Sequence, residues 1–152
     1  MTEIDIISRL EVEPSWLEQY QEFVQAILEA EKLTDWEISL TLCHDPYIKE
    51  LNAQYRDKDE PTDVLSFSQN EGEEIMSIPG DQVSAGDIII SMDTLAEHSN
   101  LFSVSLEEEL KRVTIHGILH LKGMTHETRN SNEKMLQYQE ELLKKTEAIR
   151  VF

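Results

Sequence analysis

"HGILHLKGMTH", residues 116–126, holds three of the five histidines in a chain of 152 residues. It completes a longer segment, "SLEEELKRVTIHGILHLKG", that reads as one helix. Ser105 and Glu108 have the spacing of a capping box at its start, and Gly123 suits a stop at its end. His116 and His120 lie four apart, so both imidazoles leave one face about a turn apart and can reach a single ion. Gly123 lets the chain leave the helix and fold back, which would bring His126 to a third corner. Three neutral imidazoles leave the fourth tetrahedral position of one Zn²⁺ per chain open to water, the pattern of a catalytic site. Water held there becomes acidic enough to attack near neutral pH. The plainer alternative is three polar residues on a helix. Leu119 and Leu121 flank His120 there, and unligated imidazoles would need other buried partners. The zinc-peptidase motif HExxH places its glutamate right after the first histidine. Gly117 stands there instead, so a peptidase reading lacks its proton acceptor.

Outward from this helix the chain alternates strands and helices. Residues 3–8, 36–43 ("WEISLTLC"), 62–68 ("TDVLSFS") and 85–91 ("AGDIIIS") read as strands, and the unbroken Ile run of the last suggests an inner place in the sheet. A helix opened by Pro14 and Ser15 turns Trp16, Tyr20, Phe23, Ile27 and Leu28 inward. "DPYIKELNAQYR" is a second helix, capped by Asp45 with Pro46 in its first turn and ended by the turn Asp57 to Pro61. "MDTLAEHSNLF" is a third, and "SNEKMLQYQEELLKKTEAI" a last one that faces Met135, Tyr138, Leu142 and Leu143 inward. "QNEGEEIMSIPGDQVS" is the most loop-like part and is expected to be mobile. The order βαβαββααα predicts an α+β domain spanning 1–152: a mixed sheet of about four strands packed by about five helices, the histidine helix at its centre.

Composition bounds the rest. With 39% hydrophobic residues the chain can bury an ordinary core. No stretch nears the ~20 apolar residues of a membrane span, and the N-terminus reads as no signal peptide, which predicts a cytoplasmic protein. Cys43 is the single cysteine, sits at a buried strand position and suits a reducing compartment. Carboxylates outnumber Lys plus Arg by 31 to 13, for a formal charge of -18. Such a field repels nucleic acid and favours cationic partners. From Lys111 to His126 there is no acidic residue, which makes a local neutral-to-basic site one reading and a solvated face the other.

"HGILHLKGMTH" resembles the HGxLHLxGYDH signature of the YbeY family, bacterial metal-dependent endoribonucleases of rRNA maturation. "LNAQYRDKDEPTDVLSF", residues 51–67, is similar to the family's LNxxYRxKDxPTDVLSF block, and "GDIIIS", 86–91, to its GDI strand. The resemblance implies zinc held by His116, His120 and His126, with Arg56 as the basic residue facing it across a cleft. It implies cleavage of single-stranded RNA on the ribosome, at the 3′ end of small-subunit rRNA. It also implies a small mixed sheet with a central histidine helix. Met124 and Thr125 replace the Tyr and Asp of the signature, and Glu108 stands where many members have Arg.

In that frame His116 and Arg56 are the candidate catalytic residues. Arg56 suits a phosphate through its planar fork of donors; its ordinary alternative is an ion pair with Asp57 or Asp59. Ser66 and the backbone of "TDVLSF" are candidate substrate contacts, against an ordinary strand with Val64 and Phe67 in the core. His98 and His44 are weaker candidates for proton transfer, and the choice between water and the RNA 2′-hydroxyl as nucleophile stays open. The acidity predicts weak binding of free RNA, with a basic ribosomal protein and the small ribosomal subunit as partners. A peptidase-like hydrolase, or a non-catalytic assembly factor braced by its metal, are the competing functions.

Overall fold

The structure is a computed structural model that describes residues 2–68, 83–124 and 133–152. Its elements are β1 (Glu3–Ser8), α1 (Leu17–Ala30), β2 (Trp36–Cys43), α2 (Asp45–Arg56), β3 (Val64–Ser68), β4 (Val83–Ser91), α3 (Met92–Phe102), α4 (Leu106–Leu121) and α5 (Lys134–Lys145). The order is the one the sequence predicts, and the fold is α+β. Strands β1, β2 and β4 run parallel, and β3 pairs antiparallel with β4 at the edge, in the order β1-β2-β4-β3.

Alternation along the strands decides what covers each face. Ile4, Ile6, Ile38, Leu40, Leu42, Ile88 and Ile90 point to the side of α1, α4 and α5 and build the larger core with them. Cys43, Leu65 and Ile89 point to the other side and meet Ile48 of α2. Burial on both faces explains the Ile run of β4. Each such side chain contributes roughly 1.5–3 kcal/mol when fully buried. The Cys43 thiol donates to the Ile90 carbonyl at 3.4 Å, and burial first of all pushes its pKa up to about 12.

Two glycines let backbones approach. Gly86 sits at φ +138°, and a Cβ there would lie 2.1 Å from the Phe67 carbonyl oxygen. Gly117 lies under β4, where a Cβ would come within 2.9 Å of Ile88 Cδ1. The histidine helix therefore rests directly on the sheet, and from Lys111 to Leu121 only Arg112, His116 and His120 escape full burial. A spacing of four residues puts those three in one stripe.

Several boundaries differ from expectation, each for a local reason. Helix α1 opens at Leu17 rather than at Ser15, with Trp16 at the N-cap and no side-chain cap bond. Asp45 is not a cap: His44 holds that position, and the Asp45 carboxylate accepts the Ser91 and Thr94 hydroxyls, each at 2.6 Å. β3 starts at Val64 because the Asp63 carboxylate takes the Val64 N–H itself, at 2.8 Å. β4 starts two residues early, and the register shift where Gly86 rather than Ala85 pairs with Ile38 is a β-bulge. Tyr138 is only half-buried, and Gln139 takes its place among the buried residues of α5. Of the expected loop at 69–84, residues 69–82 lie outside the described residues and the last two belong to β4.

Candidate metal centre

The helix that carries the histidines is fixed at both ends. Ser105 Oγ accepts the Glu108 N–H at 3.0 Å, one half of the expected box, while the Glu108 carboxylate turns to Arg112. At the other end Gly123 has φ +107°. The Gly123 N–H donates to the His120 carbonyl and the Met124 N–H to the Leu119 carbonyl, both at 3.0 Å. That is a Schellman motif, and the Met124 side chain packs on the larger core beyond it. Lys122 and Tyr138 both donate to the Glu31 carboxylate, at 3.1 and 2.6 Å, tying the ends of α4 and α1 to α5.

Arg112, His116 and His120 face a cleft of about 770 Å³ whose walls include Arg56, Ser66, His98 and Gln139. The two imidazoles meet there at a ring-centroid distance of 4.5 Å and an interplanar angle of 76°. Their Nε2 atoms are 3.0 Å apart, against about 3.3 Å for two nitrogens on one tetrahedral zinc. Gln139 fixes the tautomer of one ring. Its amide nitrogen donates to Glu140 Oε2 at 3.2 Å, so its Oε1 faces His116 Nδ1, at 2.6 Å. An amide oxygen only accepts, hence Nδ1 carries the hydrogen and Nε2 of the neutral ring keeps its lone pair. An available Nε2 lone pair on a ring whose far nitrogen is anchored is what a metal-binding histidine needs. These two residues fit a zinc ion. His126 lies outside the described residues.

Behind Gln139 stands Arg112, which grips the Glu140 carboxylate with Nε and Nη2, each at 3.0 Å, and reaches Glu109 with Nη1. Burial opposes its charge, yet Glu140 and Glu109 raise its pKa above the ordinary value. Burial likewise works against ionised Glu140, but Arg112 and Gln139 hold its pKa below the usual range. Lys111 is turned away from the cleft and donates to the Thr146 and Ile149 carbonyls at 3.1 and 2.7 Å. Of the cations in this run, Lys111 is thus spent on internal carbonyls and Lys122 pairs with Glu31 at the surface, while Arg112 lines the cleft with His116 and His120.

Arg56 ends α2, where Asp57 in the left-handed region closes the helix. Asn52 holds the following turn, its amide donating to the Glu60 carbonyl at 2.8 Å. Arg56 Nη2 donates to the Ser66 carbonyl at 3.0 Å, and the guanidinium lies 4.9 Å from the Phe67 ring centroid. Asp59 is within 3.9 Å of Lys49. Ser66 does line the cleft, and its carbonyl holds Arg56. Val64 and Phe67 pack on opposite faces of the sheet. His98 also lines the cleft, 3.8 Å from Asp63. His44 is elsewhere, bonded to Asp93 at 2.8 Å.

Reading the residues missed Gln139, Asp63 and the Arg112–Glu140 pair. A signal for Gln139 existed: it falls between Met135 and Leu142 on the inward stripe of α5, where a polar side chain needs a partner.

The family model described as "Endoribonuclease YbeY" matches residues 5–147. The chain belongs to the YbeY endoribonuclease family. The Endoribonuclease YbeY of Treponema denticola is 44% identical over 133 residues, covering 87% of this chain and 84% of that one. That of Borreliella burgdorferi is 44% identical over 137 residues, covering 88% of each. A solution structure of a Thermotoga maritima protein superposes with a TM-score of 0.62 at 32% identity, covering 93% of this chain and 87% of its own. YbeY proteins are metal-dependent endoribonucleases, hydrolases of RNA phosphodiester bonds. Membership sets aside the peptidase and non-catalytic readings. Gly117 agrees, because a side chain there would meet Ile88. Among the described residues no helix is long and apolar enough to cross a membrane.

Proposed function

We propose that this chain is a zinc-dependent single-strand endoribonuclease of the cytoplasm that matures the 3′ end of small-subunit rRNA and takes part in ribosome quality control. The observation that carries the reading is the convergence of His116 and His120 Nε2, 3.0 Å apart, in a cleft that Arg56 also lines. His116, His120 and His126 would hold one zinc ion. When bound, zinc supplies Lewis acidity toward a water or a phosphate oxygen.

The chain's own residues do the rest. Gln139 keeps His116 in the tautomer that presents Nε2. The Ser66 carbonyl, 3.0 Å from Nη2, sets the Arg56 guanidinium on the cleft wall. There its planar donors can neutralise charge growing on a non-bridging phosphate oxygen. The acidic surface of the chain, -18 in total, fits delivery of the strand by the small ribosomal subunit and a basic ribosomal protein rather than capture of free RNA.

The test is cleavage of an end-labelled oligoribonucleotide with zinc present. Single strands are cut in preference to duplex, and Arg56→Ala lowers kcat by about 100-fold with zinc content unchanged. Full activity in Arg56→Ala, or equal cutting of duplex, contradicts the reading.

A further inference from the structure

Helix α3 ends on Phe102, a large apolar side chain that is 59% exposed and lines the same cleft as His116 and Arg56. Folding does not explain it. Of the other exposed aromatic rings among the described residues, Phe152 stacks on Trp16 at 4.9 Å and Tyr55 meets Phe67 edge-on at 5.4 Å. Phe102 has the imidazole of His98 beside it, at 5.6 Å and tilted by 53°. His98 lines the cleft too, and its Nδ1 is 3.8 Å from the Asp63 carboxylate, which the Val64 N–H anchors at 2.8 Å.

The backbone that carries both rings is held in place. Leu95 buries the inner face of α3. Ser103, in the left-handed region with φ 56°, closes the helix directly after Phe102. The Val104 N–H then donates to the Ser99 carbonyl at 3.0 Å. An aromatic ring at the wall of a phosphodiesterase cleft, with a second ring in contact range, presents π-faces to an incoming base.

We propose that Phe102, supported by His98, is a nucleobase-stacking platform that holds one unpaired base of the RNA while Arg56 meets the backbone. A base inside a duplex has its faces covered by its neighbours, whereas a single-stranded base can be splayed onto a ring. Stacking makes no use of base edges, so the platform tolerates all four bases. It supplies affinity that a chain of charge -18 cannot draw from phosphates. The proposal rests on the single-strand endoribonuclease reading.

Zinc-loaded protein is mixed with single-stranded oligoribonucleotides carrying one 2-aminopurine walked along the strand. Its fluorescence is read by stopped flow before the strand is cut. The platform predicts quenching at a defined position. Phe102→Ala removes the quench and weakens binding by about tenfold, Phe102→Trp restores both, and duplex RNA shows neither. Because the ring is exposed, both variants should melt like the parent chain. Equal quenching by Phe102→Ala and the parent, or no quenching at any position, overturns the proposal. A quench without cleavage leaves the platform standing and sinks the nuclease reading; cleavage without a quench does the reverse.

Discussion

Gln139 is the residue whose removal separates metal binding from folding. Its Oε1 accepts from His116 Nδ1 at 2.6 Å, and Arg112 and Glu140 hold it from behind. Loss of such a partner costs a metal site about 10–100-fold in affinity. Gln139→Ala should therefore bind zinc that much more weakly in competition with a chromogenic chelator. Gln139→Glu, which also accepts from Nδ1–H, should stay close to the parent. Equal affinities for Gln139→Ala and the parent would show that the amide merely fills space.

Helix α4 has to touch the sheet, and Gly117 is how it does so. Replacing it by Ala gains about 1 kcal/mol of helix propensity, but the new Cβ meets Ile88 at 2.9 Å, and overpacking of this kind costs about 1–3 kcal/mol. Urea unfolding of Gly117→Ala should show a lower midpoint with an unchanged slope; a higher midpoint would mean that Ile88 simply moves aside. The same helix clamps the C-terminal segment, since the Glu107 carboxylate accepts the Val151 and Phe152 N–H groups at 2.7 and 2.9 Å. Burial resists ionisation of Glu107, but those two donors and nearby Arg150 hold its folded pKa below the ordinary 4.5. A lowered carboxylate stabilises the fold above its unfolded pKa and loses that contribution as pH falls through the folded value. Glu107→Gln should cost about 1 kcal/mol at neutral pH, given partial solvent screening, and the gap to the parent should close below pH 4.5. A gap that persists in acid would contradict the assignment. How these elements could be read beforehand follows from the range of their causes. Ser105 and Gly123 act within one turn of the chain, so the limits of α4 were legible. The Ile run of β4 announced a strand covered on both faces. The inward place of Gln139 on α5 was legible, but its partner was not: His116 lies twenty-three residues earlier, and only the packing of α5 on α4 creates that contact. Asp45 was misread as a cap because its partners, Ser91 and Thr94, are brought to it by the sheet.

For the whole molecule, charge and metal carry the account. A chain of charge -18 is expected to neutralise few phosphates, about two. The affinity for single-stranded RNA should then fall only about tenfold between 50 and 200 mM salt. Filter binding checks this, and a loss of a thousandfold would contradict it. Everything else depends on whether the imidazoles of α4 hold an ion. The direct measurement is elemental analysis of the purified chain beside His120→Ala, both dialysed against the same zinc buffer. The account predicts about one zinc per chain in the parent, as a three-histidine site requires, and almost none in the variant. Equal zinc in both would contradict it.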